Sequence, residues 1–218
     1  MLPLGDQAVM AYCADEHQAT LLAAQVRCAM PAWCVDVVQA YVSVAIYYDH
    51  AAIDFAQAAD WLAALAVADV AVNLETSRLH VVPCCYEFGL DLERIQQCTN
   101  LSRAQIIELH TGTIYTVYAI GFCPGFPYLG YLPAELSGVP RLPSPRLRVE
   151  VGSVGLTGRQ TGIYTEPRPG GWNIIGRTPL LLVDVKGEYF PLATGDRVQF
   201  QRISDEEFRK MEGMRLIE

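Results

Sequence analysis

The sequence predicts an α+β chain of two domains: an N-terminal β-α-β-β-α-β domain over residues 1–83 and a small closed β-barrel within residues 84–218. Three observations point that way. Residues 1 to about 80 are rich in alanine and alternate short β-branched runs with stretches of helical spacing. Beyond them the texture changes, since all but three of the 17 glycines and all but three of the 13 prolines lie between Gly112 and Gly195, interleaved with short apolar runs. Many short strands cut by tight turns are the pattern of a small barrel. Finally, 218 residues suit two ordinary domains better than one.

The elements follow in chain order. Gln7 to Tyr12 reads as a strand, and Asp15 with Gln18 three residues later is a capping-box spacing that opens a helix running to Met30. Val35–Ala40 and Val42–Tyr48 are β-branched and aromatic strands; Phe55, Ala59, Leu62 and Leu65 mark a helix over Ile53–Val67; Arg78–Val82 is strand-like. That order is the ferredoxin-like split βαβ pattern, which supports a domain and no activity. Two short helices follow, Leu90–Cys98 and Arg103–His110, the second behind a Ser102/Gln105 capping box. The barrel strands include Ile114–Ile120, Trp172–Ile175, Leu180–Val183 and Arg197–Phe200. Ser204 with Glu207 then caps a final helix to Met211.

Composition narrows the function. A net charge of −8 disfavours nucleic acid and acidic membranes, whose binding requires clustered Lys and Arg. No apolar run reaches about 18 residues and no basic stretch precedes an apolar one at the N-terminus, so a cytoplasmic protein is expected. Seven cysteines without a C-x-x-C pair read as reduced, mostly buried side chains, and the four histidines lack ligand spacing, so no metal site is expected. A P-loop, a G-x-S-x-G elbow and an H-E-x-x-H helix are all missing. A self-contained hydrolase is therefore not indicated.

Chemistry concentrates in Gly121–Thr178. This segment carries Arg141, Arg146, Arg148, Arg159, Arg168 and Arg177 against Glu135, Glu150 and Glu166, so it is net positive inside an acidic protein. Arginine without lysine suits bidentate recognition of a carboxylate or phosphate. Arg146 and Arg177, among glycines and prolines, are the candidates to face a ligand; Arg148, Arg159 and Arg168 read as a solvated rim. The stretch Gly121–Pro133, GFCPGFPYLGYLP, holds Phe122, Phe126, Tyr128 and Tyr131 on a stiff loop suited to a binding wall, with Phe122 expected to plug the barrel end. In Gly152–Tyr164, GSVGLTGRQTGIY, the residues Gln160, Thr161 and Tyr164 are candidate hydrogen-bond partners, and the glycines could present N–H groups to an oxyanion. His110, at a helix end, is the candidate general base, weighed against a helix-terminal histidine that merely meets the dipole.

Five motifs in order, GFCPGFPYLGYLP, PRLPSPR from Pro140, GSVGLTGRQTGIY, PGGWNIIGRTP from Pro169 and GDRVQF from Gly195, together with GDQA at Gly5 and EFGLDL at Glu87, resemble the family of 5-oxoprolinase B subunits. Relatives include a sporulation histidine-kinase inhibitor, the first subunit of allophanate hydrolase and modules of urea amidolyases. Where the family commonly reads Ile-Tyr-Pro, this chain has Ile163, Tyr164 and Thr165. The resemblance implies a cyclophilin-like β-barrel for the C-terminal half. It also implies partner subunits A and C, with which the chain would open the lactam of 5-oxo-L-proline to glutamate at the expense of ATP. Arg177, Arg146, Gln160 and His110 are then the expected catalytic set, and Phe126, Tyr128, Thr161, Tyr164, Trp172 and Thr178 the expected substrate contacts. A kinase inhibitor and a subunit acting on allophanate or a urea derivative are the alternatives.

Overall fold

The computed structural model describes residues 1–67 and 77–216. It shows a mixed α/β chain with mostly antiparallel strands, which divides into two compact units, Met1–Thr76 and Ser77–Glu218. Among the described residues, no helix is long and apolar enough to cross a membrane.

The first unit contains β1 (Leu2–Pro3), β2 (Ala8–Tyr12), α1 (Glu16–Ala29), β3 (Cys34–Ala40), β4 (Ser43–Tyr48) and α2 (Phe55–Val67). The Asp15 carboxylate accepts from Gln18 N at 2.7 Å and opens α1 as its spacing predicts. Asp54 and Gln57 form a reciprocal pair ahead of α2. The strands lie in the order β1-β2-β4-β3. Because β4 is antiparallel to both neighbours, β2 and β3 run the same way and α1 is their crossover. Val9, Leu22, Val26, Val44, Ile46 and Leu62 fill the core beneath it.

The expected fourth strand of this unit belongs elsewhere, which moves the boundary from residue 83 to Thr76. Strand β5 (Leu79–Cys84) runs parallel to β13 (Arg197–Arg202) over its whole length, and Arg197 N donates to Arg78 O at 2.8 Å. A β-branched run is recognisable as a strand from sequence; which strand it pairs with, far along the chain, is not.

The second unit continues through a 3₁₀ turn (Tyr86–Phe88), α3 (Leu92–Thr99), α4 (Arg103–Thr111), β6 (Ile114–Ile120), β7 (Pro127–Gly130), a second 3₁₀ turn (Ala134–Leu136), β8 (Arg146–Val149), β9 (Ser153–Thr157), β10 (Gln160–Ile163), β11 (Arg168–Gly170), β12 (Asn173–Arg177), β13 and α5 (Asp205–Met211). The Ser102/Gln105 and Ser204/Glu207 boxes are both formed. Leu180–Val183 is not a strand: Leu181 makes one bridge, to Arg215, while Leu180 and Leu182 pack into the core.

Seven strands follow one another as β5-β13-β6-β7-β10-β9-β12. The ladder then closes on itself. Cys85 N donates to Arg177 O at 2.8 Å and Arg177 N returns to Cys85 O at 3.0 Å, joining β12 to the end of β5. The residues after that bridge hold the same edge, with Asp91 N on Ile174 O at 3.0 Å and the Asp91 carboxylate accepting from Ile174 N at 2.7 Å. Gly89 lies so close to β12 that a Cβ there would meet Ile175 O at 2.5 Å. The EFGLDL motif is thus the seam of the barrel. Strands β8 and β11 form a separate two-stranded ribbon.

Candidate functional site

The residues singled out from sequence occupy four different places. His110 lies inside the barrel and is fully buried. Thr161 donates its hydroxyl to Gly155 O at 3.0 Å and therefore accepts from His110 Nε2 at 3.0 Å. That assigns the proton to Nε2 and leaves Nδ1 to accept from the Tyr86 hydroxyl at 2.7 Å. Burial away from water holds the ring neutral, its pKa lowered to about 3, and pushes the Tyr86 phenol well up. His110 and Thr161 therefore form a satisfied, fully buried polar core, with the His110 ring centroid 4.5 Å from that of Phe200. The expected general base is a structural residue.

The second place is the seam. Arg146 Nη2 donates to Asp91 Oδ1 at 2.7 Å, while its Nη1 is buried and unpartnered. The Arg146 side chain is 27% exposed, and through Nη2 it braces the residue that fastens β12. Arg177 closes the ring with its backbone, donates from Nε to Val151 O at 2.8 Å and lies over Phe208 at 5.8 Å. Thr178 is buried, and its N–H donates to Gly152 O at 2.9 Å.

Gln160 marks the third place, at the start of β10 opposite Gly130 and beside Arg159, whose guanidinium stacks over Tyr131 at 4.1 Å. The glycine-rich segment around it is spent on the barrel: Gly152 N bonds Tyr164 O, Ser153 N bonds Glu150 O and Gly158 N bonds Val139 O. An oxyanion cradle made of these N–H groups is ruled out by the same bonds.

The fourth place gathers the expected contacts Phe126, Tyr128, Tyr164 and Trp172 into one aromatic cluster with Cys123, Val149 and Ile174. Phe126 stands at its centre, with ring centroids 4.9 Å from Tyr128, 5.3 Å from Tyr164 and 5.6 Å from Trp172, all edge to face. Here the roles of two phenylalanines reverse the expectation. Phe126 is the plug at 2% exposure, whereas Phe122, held at φ 68°, is 56% exposed. Thr165, which replaces the usual proline, ties the loop down: its hydroxyl donates to Pro124 O at 2.7 Å and lies 3.4 Å from Cys123 Sγ.

The cluster reaches solvent through Phe122, the half-buried Tyr128 and Arg141. Burial raises the Tyr128 and Tyr164 phenols above their usual range, and the Arg141 charge opposes that rise at both. Next to this face, Val183 and the 49% exposed Phe190 crowd Gly125, and Val185 is 61% exposed. Trp172 immediately precedes β12 and Arg177 ends it, roughly 16 Å apart along an extended strand, so the arginine expected at the anion site lies away from this cluster. A cavity of about 430 Å³ bounded by Leu101, Glu108, Leu109 and Glu135 includes none of the expected residues.

Comparison with known proteins assigns the family. The pattern described as carboxyltransferase domain, subdomain C and D, matches residues 1–192. The chain belongs to this family. Among curated members, the 5-oxoprolinase B subunit of Bacillus subtilis is 44% identical over 147 residues, covering 65% of this chain and 60% of that protein. The 5-oxoprolinase B subunit of Escherichia coli O157:H7 is 46% identical over 127 residues, covering 57% of this chain and 58% of its own. This chain thus spans less than two thirds of the curated family members it matches. Of solved structures, the protein TTHA0988 is 31% identical with a TM-score of 0.79, covering 91% of this chain and 40% of that one. The uncharacterised PH0987 of Pyrococcus horikoshii is 35% identical with a TM-score of 0.57, covering 94% and 98%. The urea amidolyase of Kluyveromyces lactis, 17% identical with a TM-score of 0.76, shares the fold over 99% of this chain and 16% of its own.

Proposed function

We propose that this chain is the B subunit of an ATP-dependent 5-oxoprolinase that works with subunits A and C to open 5-oxo-L-proline to L-glutamate. The observation that carries the reading is the 44% identity over 147 residues with a protein of that name. On this reading the second unit is a cyclophilin-like barrel, the first a ferredoxin-like module short of one strand, and the complex acts in the cytoplasm.

A lactam is a poor electrophile, and transfer of a phosphoryl group to its oxygen creates a leaving group. On this reading ATP is bound in the assembled complex, and this chain's backbone N–H groups at Gly152, Ser153 and Gly158 are already hydrogen-bonded within the barrel. What this chain adds is a stiff aromatic wall at Tyr128, backed by the buried Trp172, and, beside it, an apolar surface at Phe122, Phe190 and Val185 on which a partner would dock. The decisive experiment mixes purified chain with subunits A and C and follows glutamate release. ATP-dependent release that requires this chain supports the reading; equal release without it refutes it.

One second reading has an observation of its own. The family description names carboxyl transfer, and the fold is shared with the urea amidolyase. Transfer of a carboxyl group from carboxybiotin to urea by the assembled complex, with no glutamate release from 5-oxoproline, would establish it instead.

A further inference from the structure

Six arginines lie between Gly121 and Thr178, and the structure accounts for five. Arg146 pairs with Asp91, Arg148 with Glu150 and Arg168 with Glu166; Arg159 stacks on Tyr131 and Arg177 donates to Val151 O. Arg141 alone of the six makes no hydrogen bond, ion pair or ring contact among the described residues.

Its backbone is nevertheless fixed. Pro140 O accepts from Asn173 Nδ2 at 2.9 Å, and Leu142 N donates to Gly171 O at 2.8 Å, so Arg141 is clamped on both sides against the segment that carries Trp172. The Arg141 Cβ lies 3.9 Å from where a side chain on Gly171 would begin, and the preceding Gly170 abuts the Tyr164 hydroxyl. Tyr128 presents a hydroxyl without a hydrogen-bond partner among the described residues and packs its ring edge on Trp172 at 5.9 Å. A cation held on a stiff backbone beside a low-polarity aromatic wall, with no carboxylate to neutralise it, is poised to take an external anion.

We propose that Arg141, with the Tyr128 hydroxyl as second donor, is the anion-recognition point of this face and takes a small carboxylate whose compact ring lays its methylene edge along Tyr128. The inference builds on the 5-oxoprolinase reading, in which the carboxylate is that of 5-oxoproline. It adds to Arg146 and Arg177, which spend Nη2 on Asp91 and Nε on Val151 O, an arginine whose whole guanidinium is uncommitted.

The test compares 5-oxoproline with 5-oxoprolinamide, which lacks the charge, in the reconstituted complex. Arg141→Ala should raise KM for the carboxylate at least about tenfold while leaving the amide within about twofold, because only the charged contact is lost. Arg141→Lys should recover part of the difference, since it restores the charge without the planar fork. Equal effects on both substrates, or none on either, would overturn the proposal. If the wild-type complex releases no glutamate, the 5-oxoprolinase reading fails separately. The proposal is then decided on the full chain alone by following the Arg141 Nε–H resonance during titration. A shift with 5-oxoproline or acetate, absent with the amide, supports it; no shift with either carboxylate overturns it.

Discussion

The barrel interior and the aromatic face both bring together side chains that the sequence marks as functional, and they differ in one respect. Inside, His110, Tyr86 and Thr161 satisfy one another atom by atom and meet no water. At the face, Phe126, Tyr164 and Trp172 are equally buried, but the cluster ends in an exposed Phe122, a half-buried Tyr128 and an unpaired Arg141. Polar groups that are all satisfied stabilise; a rigid wall ending in unmet groups binds. Residue type alone does not separate the two.

The comparison can be broken first at the interior. His110→Ala should cost about 4 kcal/mol in denaturant unfolding, since it opens a cavity and strands the Tyr86 hydroxyl. A loss below about 1 kcal/mol would mean the network is not structural. The same histidine sets a pH dependence. Folded, it takes up a proton only near pH 3, whereas unfolded it does so near 6.5. Between those values the unfolded state binds more protons, so this contribution is whole above about pH 6.5 and is lost as the pH falls toward 3. His110→Gln should flatten that part of the stability profile, and an unchanged slope would contradict the assignment.

At the seam, Asp91→Ala should cost about 3 kcal/mol, because it leaves the partly buried Arg146 unpaired and the Ile174 N–H without its acceptor. Calorimetry would show this as a lowered Tm; an unchanged Tm would remove the brace. Gly170→Ala should cost about 2 kcal/mol, since the new Cβ would press on the Tyr164 hydroxyl. If near-ultraviolet circular dichroism of the aromatic cluster stays unaltered along with stability, the wall is softer than described. The smallest effect on folding is expected at Phe122→Ser, within about 0.5 kcal/mol of wild type. If the proposed assembly with a 5-oxoprolinase C component holds, the same change should weaken co-purification with it by about 2 kcal/mol, as loss of an aromatic anchor does. Undiminished assembly would show that the partner docks elsewhere.

Legibility in the sequence follows the range of the interaction. The caps at Asp15, Ser102 and Ser204 are contacts across three residues and each forms, the last two as the full boxes read, whereas at Asp15 the Gln18 side chain reaches back to Ala14 N instead of Asp15 N. Strand positions such as Ile114–Ile120 are equally plain, because alternation is local. The pairing of β5 with β13 is not, nor is the reversal of Phe122 and Phe126, which depends on Gly162 leaving room for one ring. The aromatic part of the site is legible as a cluster of residue types. Its arginine is not, because the distinction between Arg146 and Arg141 is made by Asp91, which is remote from both along the chain. No sequence signal marks which arginine a distant carboxylate will claim.

The ring of strands has one weak link. Every other joint in it runs for at least three residue pairs, whereas β12 meets the end of β5 at the single pair Cys85 and Arg177. Local opening starts where the fewest bonds must break. In hydrogen exchange, the amides of Cys85 and Arg177 should therefore lose protection before those of β6, β9 or β10. The barrel then behaves as a sheet with a clasp, and the stretch from Glu87 to Leu92 is what keeps the clasp shut.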